Sequence, residues 1–319
     1  MDPWDHIQSA MGLSVLGFFD EARAAYRFLA ATQGEEGAWP AASNCSSIID
    51  PTRETNHAAY LASGLWHHYR ASGDVDFLAE MWPTLERAMQ FVVGMQAEDG
   101  SIHWAIDGNG IVWPAPLLAG CASMHGSLAC ATRIAKRLGY ERPLLIQSQR
   151  QLADVLREGE EVFLNSSVPE PPGRYSMDWY YPVLGGALRG PAARLRLARG
   201  YDDFVADCGG CRCVRDRDWF TVAESCELVI ALSAVGMRDR AEALFEWAQS
   251  LRVGDGGYWM GITYPNQLFW PPERPAWTAA TVILAADALA GDSATSEFFL
   301  ELSEPRVEQP AYHGDSSAV

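Results

Sequence analysis

Apolar residues recur every three to four positions along most of the chain, the spacing of one face of an α-helix. Residues 5–19 form a run of small and apolar residues, and 21–33 reads as a second helix with Asp20 as its N-cap. A third run covers 53–72. Asp74 caps a fourth, in which Phe77, Met81, Leu85, Ala88, Phe91, Val92 and Met95 keep the helical period. Further helices are predicted at 116–138, 143–160, 177–189, 191–205, 220–235, 239–251 and 276–290, with a short one near 294–302. The segments between them, including 34–51, the Pro-rich 165–175 and 253–275, read as loops. These runs make about twelve helices in six consecutive pairs, and no βαβ unit interrupts them. Several are apolar all round, which suits an inner ring covered by an outer one. The expected fold is all-α, an (α/α)6 toroid of six helical hairpins. It would form one domain over residues 1–305, followed by a polar tail, 306–319.

A faint internal repeat agrees with this. Gln33 is followed by Gly37 and Trp39, and Gln96 by Gly100 and Trp104. Gln249 is followed more loosely by Gly256, Tyr258 and Trp259. Each copy reads as a helix end, a Gly turn and an aromatic.

Composition then narrows the function. With 48% apolar residues in 319, a large core can form and disorder is excluded. The net charge of −17 repels polyanions, so neither nucleic acid nor an anionic membrane surface is an expected partner. The 12 Trp, 11 Tyr and 12 Phe supply flat amphipathic surfaces of the kind that sugar rings stack on. A neutral oligosaccharide or polysaccharide is the expected ligand. The chain begins without a basic stretch leading into an apolar run, and its 7 Cys are scattered. A cytoplasmic protein is expected. Cys208 and Cys211 have Cys-x-x-Cys spacing but no evident second pair, and the adjacent His67 and His68 point in different directions on a helix. No metal and no cofactor is expected.

Some stretches resemble known families. The Gln…Gly…Trp turns look like those of terpene cyclases and protein prenyltransferases, while residues 67–85 are similar to a helix pair of glucoamylase-like six-hairpin glycosidases. Four motifs go further: Asp50-Pro51-Thr52 with Thr55-Asn56, residues 176–182, residues 223–228, and Trp270-Pro271-Pro272-Glu273-Arg274. These resemble an actinobacterial family, often loosely labelled prenyltransferases, of methylmannose polysaccharide hydrolases. The resemblance implies an endo-acting α-mannosidase that cleaves internal α-1,4 bonds of 3-O-methylated mannan.

Glycoside hydrolysis needs two carboxyl groups flanking the bond. Asp50, at the entry to the third helix, and Glu273, just before the last long one, are the expected catalytic pair. Expected substrate-binding residues are Asp5, His6, Glu54, Asn56, Trp104, Asp107, Trp113, Asp178, Trp179, Tyr180, Glu224, Tyr258 and Trp270. Glu227 lies one turn beyond Glu224 on an otherwise apolar helix, where a carboxylate must be paired or line a wet cavity. Two rival functions differ in their signatures. An isoprenoid enzyme wants an Asp-rich cluster in register, and 202–207 is one residue out. A non-catalytic glycan-binding toroid would keep the aromatics and lose one carboxylate.

Overall fold

The computed structural model describes residues 1–44, 46–164, 173–206 and 209–303. The expected tail, 306–319, the last positions of the expected domain, and Cys208 lie outside the described residues.

Helices dominate. They are α1 (Pro3–Val15), α2 (Phe19–Thr32), α3 (Thr55–Ser72), α4 (Val75–Gly94), α5 (Leu118–Arg137), α6 (Pro143–Glu158), α7 (Glu160–Leu164), α8 (Ser176–Leu184), α9 (Gly190–Phe204), α10 (Val222–Ala234), α11 (Arg238–Ser250), α12 (Ala276–Ala290) and α13 (Phe298–Ser303). Local chemistry sets many of their ends. The Asp2 carboxylate accepts from the Trp4 and Asp5 amides at the start of α1, and Asp74 accepts from the Phe77 amide at the start of α4. Asp20 is not the cap expected of it. It lies inside the first turn of α2 and pairs with Arg23 at 2.5 Å. Helix α8 stops at Leu184, earlier than expected, because Gly185 and Gly186 follow and Gly186 takes φ 72°.

Helix α1 packs on α3, α3 on α5, α5 on α8, α8 on α10, α10 on α12, and α12 on α1. Their neighbours in sequence lie outside them, α2 on α1, α4 on α3, α6 on α5, α9 on α8 and α11 on α10. Position explains composition here. Helix α10 is buried almost continuously from Val222 to Leu232, whereas α2 buries only Ala22, Tyr26 and Leu29. Close approach needs small residues: a Cβ on Gly12 of α1 would lie 2.8 Å from the Ala280 Cβ of α12.

The last helix departs from the pattern of outer partners. Helix α13 packs mainly on α8 and α10 and lies across the C-terminal ends of inner helices. Phe298 meets His67 edge-on at 5.2 Å, Glu301 pairs with Arg70, and the Arg189 guanidinium donates to the Leu302 carbonyl. This end of the bundle is therefore plugged.

Three small antiparallel sheets accompany the helices. They are β1–β2 (Ala42–Ser43, Ile48–Asp50), β3–β4–β5 (Arg53–Glu54, Ala105–Ile106, Val112–Trp113) and β6–β7–β8 (Trp219–Thr221, Gly261–Thr263, Leu268–Phe269). Strands of two or three residues are too short to leave a period in the sequence. Strand β3 runs straight into α3, and β6 into α10, so the second and third sheets sit at the N-terminal ends of inner helices. No helix among the described residues is long and apolar enough to cross a membrane.

The repeated turns are alike in atomic detail. The side-chain amide of Gln33 donates to the Gly37 carbonyl and to Thr84 on α4. That of Gln96 donates to the Gly100 carbonyl and to Ser148 on α6. Gly37, Gly100 and Gly256 hold φ of 96°, 89° and 90°, a left-handed conformation that L side chains rarely adopt. In the third copy Gln249 instead accepts from the Tyr258 hydroxyl. Gln96→Ala removes both of these hydrogen bonds and should lower stability by about 1–3 kcal/mol. Gln33→Ala should cost a similar amount, and the double variant close to the sum. Urea unfolding of the three variants checks this.

Candidate active site

The N-terminal ends of α1, α3, α8 and α10 meet at the end opposite α13. Asp2 and Glu54 approach the His57 imidazole at 3.8 and 3.5 Å, and Trp4 of α1 stacks on Tyr60 of α3 at 3.9 Å. Deeper in the same region lies Glu227 of α10, 3% exposed. One carboxylate oxygen accepts from the Tyr181 hydroxyl at 2.7 Å and the Gln8 amide at 3.2 Å, and the other accepts from the Tyr180 hydroxyl at 2.6 Å. Burial, helped by the charge of Glu224, raises the Glu227 pKa to about 7 against those hydrogen bonds. Asp5 is raised to about 8, first by burial and then by Asp2, Glu224 and Glu227. Oε2 of Glu224 is buried with no hydrogen-bond partner among the described residues. Asp5, Glu224 and Glu227 thus form an acidic floor walled by Trp4, Tyr60, Tyr180 and Tyr181.

Around this floor the loops bring further expected residues together. Trp104 donates its indole N–H to Glu54 at 3.1 Å and meets Trp113 edge-on at 5.5 Å. Asn56 sits in the first turn of α3, its Oδ1 buried with no hydrogen-bond partner among the described residues. Asp50 is exposed on β2 and accepts from the Thr52 amide at 2.9 Å, which holds its pKa below the usual carboxylate value. Glu273 is exposed on the loop before α12. Its carbonyl accepts from Met260 while the Met260 carbonyl accepts from Val222, so the loop is tied to the start of α10. Trp270 packs edge-on against Trp219 at 5.0 Å. Both line a cleft of about 630 Å³ with Arg174, Tyr175, Tyr264 and Asn266.

Other expected residues face elsewhere. Nε2 of His6 lies 2.9 Å from the Ala25 carbonyl, toward α2. Trp179 is buried, stacked on Phe204 at 5.4 Å with its N–H on the Arg196 carbonyl. The Asp178 carboxylate accepts from the Ala119 and Gly173 amides and ties α5 to the segment before α8. Asp107 accepts from the Asn109 and Ile111 amides of its own turn. Tyr258 belongs to the third repeated turn. Gln8 and Tyr60 are floor residues that periodicity alone did not single out. The available signal was a polar Gln8 inside a buried run, one turn after Trp4 and Asp5. Among the described residues no three His, Cys, Asp or Glu gather as a metal site.

No protein-family model matches the sequence. The MMP endo-(1,4)-3-O-methyl-α-D-mannosidase of Mycolicibacterium hassiacum is 43% identical over 311 residues, 98% of this chain and 85% of that protein. The chain belongs to that mannosidase family. Solved structures share the fold at low identity. A glycosidase is 16% identical, with TM-score 0.67 over 91% of this chain and 88% of that one. A sugar epimerase from a ruminal bacterium is 12% identical, with TM-score 0.67 over 90% and 87%.

The raised pKa values give this member of the mannosidase family a pH signature. Asp5 and Glu227 hold protons in the fold that they release when unfolded. Their contribution to stability is full below the ordinary carboxylate pKa and is lost as pH rises through about 7 and 8. The unfolding midpoint in urea should fall between pH 5 and pH 8, and Asp5→Asn should flatten that slope. A pH series of unfolding curves on both proteins measures it.

Proposed function

We propose that the protein is an endo-acting glycoside hydrolase that cleaves internal α-1,4 bonds of 3-O-methylmannose polysaccharide, built as a single-domain (α/α)6 toroid. The 43% identity to the M. hassiacum mannosidase across 98% of the chain carries this reading. The position of the acidic floor at the open end of the helix bundle supports it. Asp50 and Glu273 form the catalytic pair. One protonates the glycosidic oxygen, and the other activates water or attacks the sugar. Asp50 on β2 and Glu273 on its loop both lie shortly before an inner-helix start, and both are exposed.

Asp5, Glu224, Glu54 and Asn56 receive the sugar hydroxyls. Asp5, held protonated near neutral pH, both donates and accepts a hydrogen bond there. Trp104, Trp113 and Trp270 supply faces for the apolar C–H surfaces of successive sugars, and the 630 Å³ cleft beside Trp270 takes the chain onward from the cut bond. Tyr180 acts through Glu227.

A 3-O-methylated α-1,4-mannan oligosaccharide should be cut to shorter fragments. Asp50→Asn and Glu273→Gln should each lose about 10²–10⁴-fold in kcat with unchanged unfolding midpoints. Chromatography of the products reads the outcome, and full activity in either variant removes that residue from the chemistry.

A further inference from the structure

Large apolar side chains are exposed on three loops at the mouth. Ile48 and Ile49 lie on β2 at 60% and 64% exposure, directly before Asp50. Ile111 precedes β5 and is 63% exposed, and Leu268 opens β8 at 59%. None of these positions belongs to a helix or supports the core. What sets these tips apart from exposed apolar residues on the helices is that they gather on the loops around one mouth.

The rim aromatics and the rim aliphatics answer different needs. Each rim aromatic has a fixed neighbour: Trp113 on Trp104 and Trp270 on Trp219, edge-on, and Phe269 on Trp259, stacked at 4.8 Å. Flat rings held this way serve any sugar, because every hexose has a C–H face. Branched aliphatic tips offer no flat surface for stacking. They match compact apolar groups that project from a chain's edge, which on a glycan means methyl ethers.

Topology brings the three loops to one end. Strand β5 pairs with β4, and β4 with β3, which enters α3. Strand β8 pairs with β7, and β7 with β6, which enters α10. Strand β2 leads into β3. The starts of α3 and α10 both border the acidic floor, through Glu54 and Glu224. Three tips on three loops around one mouth suit a polymer that carries the same apolar group on successive residues. The net charge of −17 places no penalty on a neutral polymer, whereas it disfavours pairing this rim with a second copy of the chain.

We infer that Ile49, Ile111 and Leu268 are specificity-determining residues that contact the O-methyl groups of the polysaccharide on either side of the cut bond. This rests on the proposed hydrolase reading and adds to it the part of the protein that distinguishes methylated from unmethylated mannan.

The test compares Ile49→Asn, Ile111→Asn, Leu268→Asn and the triple variant on two ligands, a 3-O-methylated α-1,4-mannan oligosaccharide and its unmethylated counterpart. Cleavage is measured directly, and binding by calorimetry in an Asp50→Asn background. Each replacement should weaken binding of the methylated chain about fourfold, the value of one buried methyl-sized group, and the triple variant should weaken it by more than tenfold. The unmethylated chain should bind each variant and the parent equally well. Equal losses on both ligands, or no loss on either, overturn the inference. So does sedimentation of the parent as a dimer that the triple variant dissociates, since the tips would then cover a second copy. A methyl preference in binding without any cleavage by the wild-type chain would sink the hydrolase reading and leave the assignment of the tips standing.

Discussion

The buried carboxylate of Glu227 binds the open end of this protein together. A carboxylate in an apolar bundle is costly unless its oxygens are satisfied. Here α8 supplies two hydroxyls and α1 supplies an amide, all to one side chain of α10. Three inner helices are thereby tied together near their midpoints, with Tyr180 and Tyr181 locked as walls. Asp5 and Glu224 stand close enough to feel the same charge. The floor is therefore a set of neighbouring acidic side chains in a rigid frame, with Asp5 and Glu224 in the first turns of α1 and α10, where the positive helix ends favour acidic groups.

The two ends of the bundle are built by opposite rules. Helix α13 closes one with Phe298, Leu302 and the Arg70–Glu301 pair. His67, buried beside Phe298, has its pKa lowered to about 3 by burial and is neutral packing there. The other end leaves α3 and α10 preceded by short strands that extend outward as loops. Irregular backbone is tolerated on that side because its polar groups pair within the small sheets or meet water. The residues proposed to bind substrate consequently lie at the end where the chain is least regular.

The long helices were legible in the sequence because each keeps a 3.6-residue apolar period over three turns or more. The ends of α4 and the repeated Gln–Gly turns were legible too, since Asp74, Gly37 and Gly100 answer to local backbone chemistry. Side-chain destinations were less so. Asp178 and Trp179 sit beside Tyr180 in sequence, yet one helical step turns each to a different neighbour: Asp178 to backbone amides, Trp179 to Phe204, Tyr180 to Glu227. The same holds for Asp5 and His6, where Asp5 faces the floor and His6 faces α2. The strands were invisible because two residues carry no period. The Gln8–Glu227 contact spans 219 residues, a separation that no local pattern encodes.

Accessibility separates the roles of the carboxylates. Glu227 is sealed beneath two tyrosines and spends its lone pairs on protein donors, so it cannot also reach a bond inside a polymer. An endo-acting enzyme must admit a chain from the side without threading it. The proposed reading therefore places the cut bond above the floor, at the level of the loops. Asp50 and Glu273 are carboxylates at that level, each on a segment pinned by backbone hydrogen bonds close to an inner-helix start. On the proposed reading the buried acids hold the frame and one sugar, and the exposed pair is left free for the chemistry.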